Sequence, residues 1–172
     1  MVTSTALTFV IGLALSLAVV NSEQLFICDF ERDTCGFTNE EGNTATWVRE
    51  ETELGGREGY VMTIEPNDAI VQRASVGKSY SEIRGEIPGC FSFDYYTFGN
   101  GTRYFSSTQE MNIGAAGIWS FDDTEITSGW NKARISVNID ESTRFKFYAM
   151  IDRSLGEGVV ALDNVALDLN HC

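Results

Sequence analysis

Histidine occurs once, at position 171, proline twice, and lysine and arginine together 12 times against 25 aspartates and glutamates. A lone imidazole beside the terminal cysteine leaves a Ser-His-Asp or Cys-His arrangement little to work with. Neither H-E-x-x-H nor G-x-S-x-G occurs in the chain. The shortage of basic residues gives a formal net charge of −13. A surface this acidic repels phosphate backbones and argues against nucleic acid as a partner. Beyond residue 22 no stretch sustains a 3.6-residue apolar period, which argues against a helical fold. Apolar material itself is not scarce. At 43% hydrophobic and 12% aromatic, the chain can bury a core and is not a disordered acidic tail.

Charge is missing altogether from residues 1–22, so every Lys, Arg, Asp and Glu lies in the remaining 150 residues. The run from Ala6 to Val20, interrupted by Thr8, Gly12 and Ser16, is too short to span a bilayer comfortably. It fits the apolar region of a secretory signal, with Val20 and Ser22 as the small residues before a cleavage after Ser22. The alternative is an uncleaved anchor. On the first reading residues 1–22 are a signal peptide, residues 23–172 are one secreted extracellular domain, and no membrane span remains after cleavage.

The chain has four cysteines: Cys28 and Cys35 seven apart, Cys90 and Cys172 82 apart. Zinc sites want closer pairs with histidine or further cysteine nearby. In a secreted protein an even number points to disulfides. Three connectivities are possible, and Cys28–Cys35 with Cys90–Cys172 is favoured because the first pair closes a small local loop. The second would tie the chain end to a mid-domain strand.

The periodicity present is that of strands. Tyr60, Met62 and Ile64 alternate with Val61, Thr63 and Glu65; Phe91, Phe93 and Tyr95 alternate with Ser92, Asp94 and Tyr96. Ala133, Ile135, Val137 and Ile139 alternate with polar neighbours, and Phe145, Phe147, Ala149 and Ile151 repeat the pattern. Val159 to Leu169 is apolar on both faces except at Asp163, Asn164 and Asp168, which predicts a central buried strand. Gly55-Gly56, Pro66-Asn67-Asp68, Pro88-Gly89, Gly99-Asn100-Gly101 and Gly156-Glu157-Gly158 supply turns. Many short strands with glycine-rich turns predict an antiparallel sandwich or barrel. Segment 103–128 reads as loop with two short strands.

Residues 29–53 hold eight acids and two bases. They form either a solvated acidic face or, through Glu31 and Asp33 together with the isolated Asp163, the oxygen ligands of a structural Ca²⁺ or Na⁺. No other cofactor is indicated. Asn100-Gly101-Thr102 is the one N-x-S/T sequon, in an exposed type of turn, and is expected to be glycosylated. Aromatic residues gather on both sides of that turn. Tyr96, Phe98, Tyr104 and Phe105 are the expected interaction surface, while Trp47, Trp119 and Trp130 serve core packing or a carbohydrate platform. The nearest approach to a glycosidase carboxylate pair, Glu31-Arg32-Asp33, runs straight into Cys35, so catalysis is not expected.

The segment C-D-F-E-R-D-T-C-G-F from Cys28 to Phe37 resembles the opening of the MAM domain, the module shared by meprins, neuropilins and receptor tyrosine phosphatases. Trp47-Val48-Arg49, Gly59-Tyr60-Val61-Met62, Cys90-Phe91-Ser92-Phe93-Asp94-Tyr95, Trp130-Asn131-Lys132-Ala133 and Val160-Ala161-Leu162-Asp163-Asn164-Val165 resemble its later motifs in order, over residues 25–172. The resemblance implies an antiparallel jelly-roll sandwich with two disulfides in the pairing above. It also implies adhesion or extracellular protein recognition. Some members hold a cation near the first strand and the closing motif. Here Leu54-Gly55-Gly56-Arg57 replaces the usual Asp-His-Thr, and Asn164 replaces the second closing aspartate.

The expected partner is thus an extracellular protein, bound by the aromatic surface with the acidic face speeding encounter with a basic target. A glycan or mineral is the alternative. With all four cysteines bridged internally no covalent dimer forms. Mass spectrometry of the unreduced protein is expected to find neither free thiol nor a disulfide-linked dimer.

Overall fold

A computed structural model describes residues 24–121 and 129–172; the proposed signal segment 1–22 lies outside the described residues. The described chain forms eleven strands: β1 (Gln24–Cys28), β2 (Thr38–Asn39), β3 (Trp47–Leu54), β4 (Arg57–Ile64), β5 (Val71–Ser79), β6 (Ile87–Phe98), β7 (Thr102–Met111), β8 (Gly114–Ser120), β9 (Asn131–Ile139), β10 (Arg144–Asp152) and β11 (Val159–Leu169). The first sheet runs β3-β4-β11-β6-β9, with β1 also paired to β11; the second runs β2-β5-β10-β7-β8. Every pairing is antiparallel. The predicted jelly-roll sandwich is the observed fold.

Alternation places one side of each strand between the sheets. Phe91 and Phe93 on β6 meet Phe145 and Phe147 on β10 and Phe105 on β7, all fully buried. Phe91 and Phe145 stack with centroids 3.9 Å apart, and Phe93 meets Phe147 edge-on at 4.8 Å. Each such ring contributes roughly 1.5–3 kcal/mol by burial and about 0.5–1.5 kcal/mol more through its aromatic contacts.

The expected central strand is β11. Its Val160 and Leu162 face the core, and so do Val165 and Leu167, an odd spacing that simple alternation forbids. The pairing with β6 slips between Asp163 and Ala166, and Asn164 adopts φ 48°. This extra residue is a β-bulge, placed at a residue type that tolerates the left-handed region. It returns β11 to its inward phase.

Segment 103–128 departs from expectation over its described part. It holds a ten-residue strand, β7, and a seven-residue strand, β8. Their period is masked because the inward positions of β7 include Ser107 and Gln109 beside Phe105. Residues 122–128 lie outside the described residues.

Both disulfides have the expected pairing. Cys28–Cys35 staples the loop after β1, and Cys90–Cys172 fastens the chain end to β6 across a sequence separation of 82. Closing a loop of that length restricts the unfolded chain by about 4–5 kcal/mol. Cys172→Ser with Cys90→Ser is expected to lower unfolding free energy by about that amount, read by urea denaturation followed by tryptophan fluorescence.

Candidate functional site

The residues that alternate outward decide what each sheet presents. On the first sheet, Asp94 of β6 and Asp163 of β11 sit directly opposite each other. Like charges so placed repel across a strand pair. Arg57, the first residue of β4, bridges them: its Nη1 donates to Asp163 Oδ2 at 2.7 Å and its Nη2 to Asp94 Oδ2 at 3.0 Å. Asn164 Nδ2 donates to Asp94 at 2.9 Å, the Asn164 backbone N–H donates to Asp163 Oδ1 at 2.7 Å, and Lys132 Nζ stands 3.6 Å from Asp94. The Arg57 guanidinium also lies over the Trp130 ring at 4.1 Å, and Trp130 donates through Nε1 to the Leu54 carbonyl. Burial pushes the Asp163 carboxyl above the usual carboxylate range, opposed by the hydrogen bonds from Arg57 and the Asn164 backbone.

Glu31, Asp33 and Asp163 do not form one ligand set. Glu31 Oε1 accepts from the Tyr60 N–H, Asp33 Oδ1 accepts from the Cys35 N–H, and Asp163 is bridged to Arg57. Among the described residues no three His, Cys, Asp or Glu side chains are placed to share a metal ion. Arg57 and Asn164, the two departures noted in the sequence, supply to Asp94 and Asp163 positive charge and donors that a cation would otherwise provide.

The four aromatic residues expected to share one surface are separated. Phe105 is fully buried because it points inward from β7. Tyr96 points outward from β6 but is 7% exposed, packed against Trp130 and against the turn at Gly55, where even a methyl group would touch its ring. Phe98 and Tyr104 are exposed, at 45% and 40%, on strands of different sheets. The Gly99–Gly101 turn carries the chain from one sheet to the other and leaves Asn100 exposed.

The outer face of the second sheet is different in kind. Arg144, Lys146, Tyr148 and Met150 alternate outward from β10, the reverse of the buried Phe145, Phe147, Ala149 and Ile151. In register beside Tyr148 stand Ser75 on β5 and Ser106 on β7; beside Lys146 stand Gly77 and Thr108. Tyr104 lies with its ring 5.9 Å from that of Tyr148. A shallow depression over β7 and β8 is lined by Tyr104, Ser106, Thr108, Gly117, Ile118, Trp119 and Ser120.

At one end of this face, two cations and two carboxylates interlock. Arg144 pairs with Glu40 and, at 3.2 Å, with Glu110; Lys146 lies 3.1 Å from Glu110 and 3.9 Å from Glu40. The arrangement needs Gly77, where an added Cβ would come within 2.8 Å of Arg144 and 2.9 Å of Lys146. Burial pushes the Glu110 carboxyl up, but hydrogen bonds from Lys146 and Arg144 outweigh it and hold the group below its ordinary range. The Glu40 hydrogen bond raises Arg144. Glu110 and Arg144 are therefore both held in their charged forms.

Sequence reasoning passed over this face. Its signal was present, in the polar residues that alternate with Phe145, Phe147 and Ala149, but a strand pattern does not say which outer positions share a surface.

Two antiparallel sheets around an aromatic core, stapled by two disulfides, define a jelly-roll β-sandwich. The family model "MAM domain, meprin/A5/mu" matches residues 28–172, and the chain belongs to that family. No curated protein matches the sequence. Among solved structures it is similar to the CBM22-1 xylan-binding domain from Paenibacillus barcinonensis Xyn10C, with TM-score 0.58 and 13% identity over 88% of this chain and 97% of that one. It is also similar to the Clostridium thermocellum Xyn10B CBM22-1-GH10 modules complexed with xylohexaose, with TM-score 0.59 and 14% identity over 87% of this chain and 29% of that one. At such identity the likeness is one of fold.

Arg57→Ala leaves two facing carboxylates without their shared counter-charge and is expected to cost about 3–5 kcal/mol. Without the guanidinium, Asp163 binds its proton more tightly in the folded state than in the unfolded state. Stability is then greatest below the ordinary carboxylate range and falls as pH rises through the raised value. The loss should therefore be larger at higher pH, checked by denaturation under mildly acidic and mildly alkaline conditions.

Proposed function

We propose that the protein is a secreted, non-catalytic recognition module that binds another extracellular molecule through the outer face of β2-β5-β10-β7-β8. The observation that carries this reading is the outward row of Tyr148, Lys146 and Arg144, with Tyr104 alongside, held in place by flanking small residues and by the interlocked ion pairs. Preorganised side chains on rigid strands bind without a large ordering cost. The family supports an adhesive or binding role outside the cell, and the two disulfides fit an oxidising compartment. The xylan and xylohexaose in the titles of the similar structures support binding as an output of this fold. A glycan on Asn100, at the end of the sandwich, would leave the centre of the proposed face open.

The test is capture of partners from extracellular fluid, together with an immobilised glycan panel, using the secreted protein. Tyr104→Ala, at an exposed position where folding should survive, is expected to weaken the recovered interaction about tenfold or more, in line with an aromatic anchor. Phe98→Ala, on the other sheet, is expected to leave it unchanged. The reverse result would move the interface to the first sheet.

A further inference from the structure

We infer that the outer face along β10 binds an uncharged oligosaccharide lying parallel to the strand, an inference that rests on the binding-face reading above. Three features of the face select this ligand class.

The row along β10 stands above small side chains on both neighbouring strands. Ser75 and Ser106 flank Tyr148, while Gly77 and Thr108 flank Lys146, with Gly117 beyond Thr108. Tyr148 therefore stands between low neighbours on β5 and β7 and is partly exposed. Outward residues on one strand recur every ~7 Å, so the row from Met150 to Arg144 extends ~20 Å. That is room for several sugar units in line.

The face is aromatic and polar, with Met150 and Ile118 as its half-buried aliphatic side chains. Among the described residues, Tyr104 is the only large exposed hydrophobic side chain on the five strands of this sheet. Protein interfaces depend on a central apolar or aromatic anchor sunk in a dry pocket, and this open face has no such pocket. A pyranose instead presents a face of C–H groups, which suits the negative face of a tyrosine ring. Its rim of hydroxyls suits the half-buried Thr108 and Ser75, the latter already donating to Asn43, while Ser106 is buried between them and Tyr104.

At the Arg144–Lys146 end of the row the charges are matched among themselves. Each cation of the quartet contacts both carboxylates, so the group is electroneutral. Such a set offers N–H donors and carboxylate acceptors side by side, which is what a hydroxyl, being both donor and acceptor, can use. An anionic ligand would meet Glu40 and Glu110; a cationic one would meet Arg144 and Lys146. Beyond the quartet, the exposed Arg73 of β5, in register with Met150, adds a further N–H donor for a sugar hydroxyl to accept.

The experiment is calorimetric titration of the protein with neutral hexasaccharides of xylose, glucose, mannose and N-acetylglucosamine, and with a heparin-derived hexasaccharide. At least one neutral probe is expected to bind, its affinity changing less than about twofold between about 50 and 500 mM NaCl. Tyr148→Ala is expected to weaken that binding by about tenfold or more, and Tyr148→Phe to retain it. Should Tyr148→Ala fail to fold, the exposed Tyr104→Ala gives the same reading. Binding of the heparin fragment alone with steep salt dependence overturns the inference, as does full affinity in both folded alanine variants. No binding to any neutral probe, while a captured protein partner is lost in Tyr104→Ala, overturns the sugar assignment and leaves the binding face standing. Retention of a captured partner by Tyr104→Ala removes the face itself.

Discussion

The packing of Phe91 and Phe93 against Phe145, Phe147 and Phe105 sets the phase of the sandwich. Side chains on a strand alternate, so once these rings point inward their neighbours must point out. That constraint sends Asp94 and Tyr96 to the outside of one sheet and Tyr148, Lys146 and Arg144 to the outside of the other. A one-residue slip would bury charge and expose phenylalanine. The bulge at Asn164 belongs to the same constraint, since it lets β11 pass from one apolar pair to the next without losing its phase.

Regular register beside the bulge sets Asp163 against Asp94, the electrostatic problem that Arg57 solves, and the bulge itself supplies a further donor. It places the Asn164 amide beside both Asp163 and Asp94, opposed across the strands, where an unpaired buried carboxylate would be costly. A divalent ion could satisfy such a pair. In this chain a guanidinium does so, with two donors aimed at two acceptors and its flat face against Trp130. The result is a structural clamp joining β4, β6 and β11 and reaching, through Trp130, the end of the β3–β4 hairpin.

The two outer faces therefore have different physical characters. On the first sheet Asp94, Asp163, Arg57 and Asn164 are engaged with one another, and Trp130 covers Tyr96. The second spreads its polar groups over an open surface around Tyr148, with Arg144 and Lys146 balanced by Glu40 and Glu110 although the whole chain is strongly acidic. Binding on a face of this kind relies on shape and directional hydrogen bonds more than on long-range attraction.

Sequence alone determined the strands with clean alternation and the glycine turns, because each depends on local periodicity. Its ordered motifs, through the family resemblance, implied the jelly-roll class and supported the favoured cysteine pairing. It also marked Arg57 and Asn164 as departures from the family pattern. It could not determine which residues share a surface. Tyr96, Phe98, Tyr104 and Phe105 are close in sequence, yet the Gly99–Gly101 turn crosses between sheets and sends them to two outer faces and the core. Glu40, Glu110 and Arg144 are far apart in sequence, yet strand pairing brings them into one ion-pair network. Inter-strand register and sheet crossing are long-range properties, and only the tertiary structure decided them.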